Sequence, residues 1–274
     1  MRASFVKMHG TGNDFAVFDE RRAPLGLSAP QVAILADRHR GIGCDQLISI
    51  EPSSRADVFM RIRNADGSEA EACGNATRCV ALLLGAESGR QKFTIETLSG
   101  LLSAEIIGAD QVRVDMGMPR FAWDEIPLAR PLDTLSLPLT VGHARAAALS
   151  MGNPHITFFV PDAEAVPLAE IGPSLEHDPL FPERMNVGFA TMLASGLLRL
   201  RVWERGAGAT RACGSAACAA VVNANRRGLG GPVMAVVMDG GTLEITWQAD
   251  GHVLMSGPVV TAFTGEIDLG EYPS

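Results

Sequence analysis

The chain carries two copies of one short pattern, one in each half of the sequence. The stretch ACGNATRC contains Cys73 and the stretch ACGSAAC contains Cys213, so the repeat interval is 213 − 73 = 140. A chain of 274 residues has room for two units of that length. The pattern therefore predicts a tandem duplication of a domain-sized unit, in contrast to a solenoid of short repeats.

The repeat interval relates further positions in the two halves. It pairs Gly12 and Asn13 with Gly152 and Asn153, Gln46 with Asn186, Asn64 with Glu204, Asp66 with Gly206, Gly100 with Gly240, and Gly117 with Gly257. A duplicated scaffold needs only its glycines and apolar positions, whereas these pairs also include side-chain amides. A single amide at the end of a strand usually stabilises a turn. As a set beside paired thiols, the amides predict a site to which both halves contribute.

Short apolar runs bounded by Gly, Pro and Asp predict strands in each half. In the first half they are FAVFD, LISIE, FMRIR, KFTIET, LSAEI and VRVDM. An Ala-rich and Leu-rich helix follows each Cys-Gly pair and is expected to end at Gly85 and at Gly228. Another helix is predicted over SAPQVAILADRH, with Ser28 as its N-cap and Pro30 near its first position.

These elements predict an α+β fold of two pseudo-symmetric domains. Each domain is expected to be a mostly antiparallel sheet wrapped around a central apolar helix, with the active site in the interdomain cleft. The predicted N-terminal domain comprises residues 1–117 plus 260–274, and the C-terminal domain comprises 118–259. DEIPL (124–128) resembles GEIDL (265–269), which suggests that the tail returns to the first domain as the linker enters the second.

Composition limits the partners of the chain. Hydrophobic residues make up 47% and charged residues 20%, which is typical of a soluble globular protein. A net charge of −8 provides no general basic surface for nucleic acid or anionic membranes. The run VALLLGA is too short to span a bilayer, and the N-terminal stretch has no apolar core of signal-peptide length. We therefore expect a cytoplasmic protein with a small-molecule substrate, no nucleic-acid or membrane partner, and a homodimer as the assembly.

Cys73 and Cys213 each lie where a loop becomes a helix. A helix N-terminus carries unpaired amide donors and a partial positive charge, which lowers the pKa of a thiol and also binds anions. Two such ends facing one another would hold a carboxylate between two thiols. Inverting a stereocentre next to a carboxylate requires a base on one face and an acid on the other, and a thiolate and a thiol can fill these roles.

Other interpretations of the cysteines remain open at this point. A Cys73–Cys213 disulfide is disfavoured in a reducing cytoplasm. A zinc site made of Cys73, Cys79, Cys213 and Cys218 has the spacings C-x5-C and C-x4-C, outside or at the edge of the usual pattern. A hydrolase with one cysteine and His155 as base leaves the second thiol unexplained. Cys44, Cys79 and Cys218 are interpreted as buried packing residues.

Six stretches give the chain a family resemblance. They are MHGTGNDFAVFD, DRHRGIGCDQ, RNADGSEAEACGNATRC, MGNPH, MNVGF and WERGAGATRACGSAACAA. In these motifs the chain resembles the diaminopimelate epimerases, which belong to the cofactor-independent amino-acid racemases. The resemblance implies a duplicated α+β fold, no cofactor and no metal. The implied reaction is the conversion of LL-2,6-diaminopimelate to its meso form, in lysine and peptidoglycan precursor synthesis.

The resemblance also implies site residues. Cys73 and Cys213 correspond to the acid/base pair, and His155 and Glu204 to residues that assist the proton transfers. The implied substrate-binding residues are Asn13, Gln46, Asn64, Gly74, Asn75, Asn153, Asn186, Glu204, Arg205, Gly214 and Ser215. Departures from the family pattern occur at Ala209, Ser215 and Ala216, and at Ala76-Thr77. Alanine in place of glycine is harmless only where the backbone φ is helical.

Overall fold

The computed structural model describes residues 1–272, which form two compact units. The N-terminal unit comprises Met1–Val114 and the residues from Gly257 onward, and the C-terminal unit comprises Asp115–Ser256. The domain boundaries expected from the sequence, after 117 and after 259, lie three residues further along the chain (117 − 114 and 259 − 256).

The two units contain their elements in one order. The first set is β1 (Arg2–Gly10), β2 (Asn13–Asp19), α1 (Ala29–Ala36), β3 (Gln46–Glu51), β4 (Val58–Asn64), β5 (Glu69–Ala70), α2 (Gly74–Ser88), β6 (Lys92–Thr97), β7 (Gly100–Ile106) and β8 (Gln111–Asp115). After a short β9 (Thr140–Val141), the second set is β10 (Ala144–Ser150), β11 (Pro154–Phe159), α3 (Leu168–Glu176), β12 (Asn186–Ala194), β13 (Leu197–Glu204), β14 (Gly208–Thr210), α4 (Gly214–Arg226), β15 (Val233–Met238), β16 (Gly241–Trp247) and β17 (Val253–Pro258). The chain continues through β18 (Val260–Asp268) into a 3-10 turn, Leu269–Glu271.

The strand pairing confirms the mostly antiparallel sheet in each unit, with parallel pairs at equivalent places. In the N-terminal unit β2 runs parallel to β3 and β4 parallel to β6. In the C-terminal unit β11 runs parallel to β12 and β13 parallel to β15. Phe15 lies opposite Gln46, and His155 lies opposite Asn186, so the strand register itself follows the repeat interval.

The segment that follows each repeat pairs with the first strand of a unit. β18 runs antiparallel to β1 and so returns the tail to the N-terminal unit, as the resemblance between DEIPL and GEIDL predicted. In the C-terminal unit β9 pairs with β10, and Arg120 forms an antiparallel bridge with Ser150.

The helices that follow the cysteines pack against the sheets. α2 contacts β1, β6 and β7, and α4 contacts β10, β11, β12, β13, β15 and β16. Residues 216–224 of α4 are all buried, which confirms that a helix apolar on all sides lies in the core. α1 begins as predicted, because Ser28 and Gln31 form a reciprocal capping box and Pro30 lies in the first turn. Within residues 1–272 no helix has the length and apolar character needed to cross a membrane.

The structure corrects some of the predicted details. Gly85 lies inside α2, and the helix ends instead at Gly89, whose φ of 71° is left-handed. Gly241, rather than Gly240, is the counterpart of Gly100, because each opens the second strand of a hairpin. The repeat interval grows by one here because the connection from α4 to β15 is three residues longer than that from α2 to β6, whereas α4 is two residues shorter than α2 (3 − 2 = 1). Gly257 lies within a strand and is not equivalent to Gly117, and helix α3 had no sequence prediction.

Candidate active site

In the N-terminal unit, Cys73 lies beside two asparagine side chains. Its backbone is extended (φ −150°, ψ 106°), and it is the residue immediately before α2. Its sulfur donates to Oδ1 of Asn13 at 3.7 Å, and Nδ2 of Asn75 donates to the same oxygen at 3.2 Å. Asn13 is at the start of β2 and Asn75 in the first turn of α2, so the thiol, a strand end and a helix start meet at one oxygen atom.

A carboxylate fixes the orientation of the Asn13 amide. Nδ2 of Asn13 donates to Oδ2 of Asp45 at 3.0 Å, and a carboxylate can only accept. The oxygen end of the amide is therefore the end that faces Cys73. Asp45 is itself held by Arg38 at 2.9 Å, and Arg38 also pairs with Asp14. Although burial raises it, hydrogen bonds from Arg38 and Lys7 leave the pKa of Asp14 far below its usual range.

Gln46 and Asn64 lie opposite one another on β3 and β4. Nε2 of Gln46 donates to Oδ1 of Asn64 at 3.0 Å, and Nδ2 of Asn64 donates to the Ser68 hydroxyl at 3.0 Å. Oε1 of Gln46 is buried, and within residues 1–272 it has no hydrogen-bond partner. A buried acceptor without a donor is costly, which makes this oxygen available to a ligand donor.

The C-terminal unit builds a related arrangement around Cys213. This residue precedes α4, again with extended backbone (φ −129°, ψ 111°), and is 5% exposed. Its sulfur lies 3.5 Å from the hydroxyl of Ser215, which accepts a hydrogen bond from Nδ2 of Asn153 at 3.3 Å. The pairs Asn13–Asn75 and Asn153–Ser215 are both separated by 62 residues, so the contact is duplicated together with the fold.

A buried histidine fixes the orientation of Asn153. Nε2 of His155 lies 2.9 Å from Oδ1 of Asn153, and since that oxygen can only accept, the proton of the neutral ring is on Nε2. Burial, helped by the charge of Arg205, lowers the pKa of His155 to about 3. His155 is therefore neutral near pH 7, and it holds Asn153 with its NH2 group toward Ser215.

The expectation of a lowered thiol pKa is wrong for Cys213. Burial is the largest effect and the carboxylate of Glu204 the next, and together they raise the pKa of Cys213 well above its usual value. The Ser215 hydroxyl and the Ala216 amide act in the opposite direction and do not overcome them. In this structure burial therefore favours the thiol form of Cys213 over the thiolate, because desolvation outweighs the helix N-terminus.

Glu204 is the last residue of β13, and Arg205 begins the turn that leads to β14. Thr210 donates to Oε1 of Glu204, and the Arg205 amide donates to Oδ1 of Asn186 at 2.9 Å. From α3, the buried carboxylate of Glu176 accepts from the Trp203 indole at 2.7 Å and from the Gly206 amide at 2.9 Å. This turn is thus fixed from two sides, by β12 and by α3.

Within each unit the structure brings most of the predicted site residues together. In the N-terminal unit Asn13, Cys73 and Asn75 are connected, and Gln46 contacts Asn64. In the C-terminal unit the connected sets are Asn153, His155, Cys213 and Ser215, and Asn186 with Arg205. Gly74 and Gly214 begin the two helices and are buried.

Sequence reasoning missed several residues that hold these side chains. Asp45, Thr210 and Glu176 were not predicted. Asp45 and Thr210 lie inside the recognised motifs DRHRGIGCDQ and WERGAGATRACGSAACAA, and position in a motif was the signal that could have found them. Ala76 and Ala216 lie in helices without positive φ, so these departures from glycine cause no strain.

The remaining cysteines are core residues. Burial raises the pKa of Cys44 to about 11 and that of Cys79 to about 12, and Cys218 is fully buried in α4. All five cysteines of the chain are present as reduced thiols. Over residues 1–272, no group of three or more His, Cys, Asp or Glu side chains is arranged to hold a metal ion.

Comparison with known proteins places the chain in a family. The sequence model described as diaminopimelate epimerase matches twice, over residues 5–122 and 147–262. The chain is 60% identical to a diaminopimelate epimerase of Acidiphilium cryptum (strain JF-5) over 96% of both chains. It is 56% identical to one of Rhodospirillum centenum (strain ATCC 51521 / SW), over 96% of this chain and 91% of that one.

A solved structure shares the fold at much lower identity. A hydroxyproline epimerase from Agrobacterium vitis, with bound trans-4-hydroxy-L-proline, has a TM-score of 0.69 at 16% identity and covers 97% of this chain and 91% of its own. The double match of the family model agrees with the internal duplication that the element order shows. The chain belongs to the diaminopimelate epimerase family and is an isomerase.

Proposed function

We propose that this isomerase converts LL-2,6-diaminopimelate to meso-2,6-diaminopimelate without a cofactor, using Cys73 and Cys213 as a thiolate and thiol pair. The observation that carries the proposal is the duplicated arrangement of a cysteine immediately before a helix whose second residue, Asn75 or Ser215, contacts an asparagine amide. The names of the relatives at 60% and 56% identity supply the substrate. The reaction would serve lysine and peptidoglycan precursor synthesis in the cytoplasm, and we propose a homodimer as its assembly.

The reaction transfers one proton at each face of the α-carbon. The Cys73 thiolate removes the α-proton, and its sulfur becomes S–H. The electron pair left on carbon is delocalised into the α-carboxylate, and the Cys213 S–H group delivers a proton to the opposite face. Cys213 is then the thiolate, so the enzyme is set for the reverse direction. The raised pKa of Cys213 supports its role as the proton donor in the forward direction.

The amides at the two helix starts are the proposed carboxylate ligands. Gly74-Asn75 and Gly214-Ser215 are the first residues of α2 and α4, where backbone N–H groups have no partner within the helix. Negative charge grows on the carboxylate as the α-proton leaves, and preorganised donors stabilise that charge more than they stabilise the ground state. The reaction requires both pairs to reach one carboxylate.

The remaining residues are the proposed ligands of the substrate's other polar groups. Glu204 matches Asn64 by the repeat, so one half offers a charge where the other offers a neutral amide. The carboxylate of Glu204 suits the α-ammonium group, which would also lower the pKa of Cys213 by offsetting the negative charge beside it. We assign Gln46, Asn64, Asn186 and Arg205 to binding, with Asn13 and Asn153 beside the thiols. His155, which is neutral, assists by orienting Asn153.

Proton exchange in D2O tests the proposed function. The reduced enzyme is incubated with LL-diaminopimelate, and loss of the α-proton signal is followed by NMR together with formation of the meso form. We expect both exchange and meso formation with the wild type, a fall of roughly 1,000-fold or more in both with Cys73→Ala, and a similar fall in meso formation with Cys213→Ala, as in other enzymes that lose a catalytic nucleophile or base. Cys79→Ala, six residues from Cys73 on the same helix, is the matched control.

Three outcomes would overturn this assignment in whole or in part. Exchange that is equal in Cys73→Ala and in the wild type would remove the thiol from the reaction. Exchange with proline or hydroxyproline, and none with diaminopimelate, would keep the chemistry and change the substrate. Purification with stoichiometric zinc and thiols resistant to alkylation would instead support a structural metal site.

A further inference from the structure

Arg78 is a completely buried arginine in the second turn of α2. Its Nη2 donates to Oδ1 of Asn75 at 2.6 Å and to the Thr11 hydroxyl at 3.4 Å, and its Nη1 donates to the carbonyl of Pro258 at 2.9 Å. The guanidinium fits because the residue that faces it on β1, Gly10, has no side chain. A Cβ at Gly10 would lie 2.9 Å from Nη2 of Arg78.

The duplicated scaffold does not require this arginine. By the repeat interval, the counterpart of Arg78 is Cys218 and the counterpart of Gly10 is Ser150. The C-terminal unit thus has the larger side chain where the N-terminal unit has glycine, and a short side chain where the N-terminal unit has arginine. Arg78 is therefore a feature of one half of the site, and the hydrogen bonds that it makes there indicate its purpose.

The guanidinium decides which end of the Asn75 amide points toward Cys73. A guanidinium can only donate, so the amide end that it contacts must be Oδ1. Nδ2 of Asn75 is then directed at Oδ1 of Asn13, which also accepts from the Cys73 thiol. The resulting path runs from Arg78 through Asn75 to the oxygen beside the sulfur.

We infer that Arg78 is a positioning residue for the Cys73 thiol, which it controls by holding Asn75 as a second hydrogen-bond donor to Oδ1 of Asn13. The inference rests on the proposed role of Cys73 in the reaction. With Asn75 in place, Oδ1 of Asn13 is shared between two donors and binds the S–H group weakly. Without Arg78 the Asn75 amide is free to rotate away, and the oxygen, still oriented by Asp45, binds S–H alone. The protonated thiol is then favoured and the thiolate becomes rarer.

The rate of Cys73 alkylation measures this effect without relying on turnover. Full-length protein is treated with iodoacetamide from pH 7 to pH 10, and the peptides containing Cys73 and Cys213 are quantified by mass spectrometry. Because only the thiolate reacts, we expect Arg78→Met to slow alkylation of Cys73 by about threefold or more near pH 8 and to shift its pH profile upward. Alkylation of Cys213 in the same sample should not change.

Two milder variants and a matched control accompany Arg78→Met. Arg78→Lys keeps the charge but has one ammonium for three oxygens, and Gly10→Ala displaces the guanidinium, so both should slow Cys73 by a smaller factor. Arg226→Met is the control, since Arg226 on α4 likewise donates to the asparagine three residues earlier, at 3.1 Å from Oδ1 of Asn223. It should leave alkylation of Cys73 unchanged even if it lowers stability.

A double-mutant cycle with Asn75→Ala separates positioning from a general loss of structure. If Arg78 acts through Asn75, Asn75→Ala alone slows Cys73, and adding the Arg78 substitution slows it little further. If Arg78→Met does not fold, the cycle is run with Arg78→Lys. Fully additive effects, or an unchanged Cys73 rate in all Arg78 and Gly10 variants, would overturn the inference. Failure of the wild type to exchange the substrate's α-proton would overturn the proposed function instead and would leave this result standing.

Discussion

The asparagine beside each cysteine points its amide in opposite directions in the two units. In the N-terminal unit Asp45 accepts a hydrogen bond from the NH2 group of Asn13, so the amide oxygen faces Cys73. In the C-terminal unit His155 donates a hydrogen bond to the amide oxygen of Asn153, so the NH2 group faces Ser215. The backbone positions are equivalent, and the two amides differ both in what anchors the far end and in the near partner, which is Asn75 in one unit and Ser215 in the other.

Two differences between the repeats set what the far end of each amide contacts. By the repeat interval Asp45 corresponds to Met185, and His155 corresponds to Phe15. Each unit therefore keeps one polar anchor and replaces the other with an apolar core residue, since Met185 and Phe15 are fully buried. One scaffold thus gives two thiols different surroundings, with an acceptor oxygen beside Cys73 and a serine hydroxyl beside Cys213. A two-base reaction in which one sulfur starts as acid benefits from this inequality.

Among the changes that compare the two asparagines, placing phenylalanine at position 155, as at Phe15 in the N-terminal unit, should lower kcat/KM the most. In His155→Phe, Oδ1 of Asn153 loses its donor and its amide is free to turn, which removes the fixed hydrogen bond to Ser215. Leaving a buried polar group unsatisfied costs about 1–3 kcal/mol, so we expect kcat/KM for epimerisation to fall roughly 10- to 100-fold. The control is His177→Phe, on the exposed end of α3 in the same unit. A His155→Phe enzyme within twofold of wild type would show that Asn153 needs no anchor.

Glu176 is a further residue that only one unit has, and its expected effect is on the free energy of unfolding. The counterpart of Glu176 is Ala36, and in the N-terminal unit Asp66 and Ser68 bond to each other within the equivalent turn. In Glu176→Gln one acceptor oxygen becomes an NH2 group, so either Trp203 or Gly206 loses its buried acceptor. We expect a loss of about 1–3 kcal/mol in the free energy of unfolding, measured by urea denaturation. Glu170→Gln, at an exposed position in the first turn of the same helix, should have little effect; an equal loss in both variants would contradict a specific role for Glu176.

The repeat predicted the features that both halves share and did not predict those that only one half has, of which His155 was reached through the family resemblance instead. Cys73, Cys213 and the strand register were accessible because a constant interval and local rules of helix starts determine them. Glu176 was not, because it lies 30 residues from Gly206 in the sequence and meets it only after α3 packs. The direction of the pKa shift of Cys213 was predicted wrongly for a related reason. A local rule gives the effect of the helix N-terminus, whereas the burial that outweighs it depends on the whole unit.

The pH dependence of the free energy of unfolding should differ between the wild type and His155→Phe, which carries at position 155 the residue type of its counterpart Phe15. The pKa of His155 is about 3 in the folded chain and near 6.5 when unfolded, so the unfolded chain binds the extra proton between these values. Above about pH 6.5 His155 is neutral in both states and does not lower the free energy of unfolding. As the pH falls from 6.5 toward 3, the unfolded chain gains the proton first, and the free energy of unfolding decreases by at most about 1.4 kcal/mol per pH unit. Urea titrations at pH 7 and pH 5 should therefore show a smaller acid loss in His155→Phe than in the wild type. Equal losses in the two proteins would mean that His155 accepts a proton without cost in the folded state.

Removing the anchor of Asn13 should have the smallest effect, although it is the mirror image of the change at His155. In Asp45→Ala the NH2 group of Asn13 loses its acceptor, but Asn75 still donates to Oδ1 of Asn13 and Arg78 still holds Asn75. Because Asp45 is partly exposed, water can replace it, and we expect only about a threefold fall in kcat/KM, the lower end for a lost hydrogen bond. The effect should grow well beyond threefold when Asp45→Ala is combined with Asn75→Ala, since both restraints on Asn13 are then absent. If the fall in kcat/KM of the double variant instead equals the product of the two single falls, Asn13 is positioned by its backbone alone. The opposite orientations of the two asparagines would then have no effect on activity.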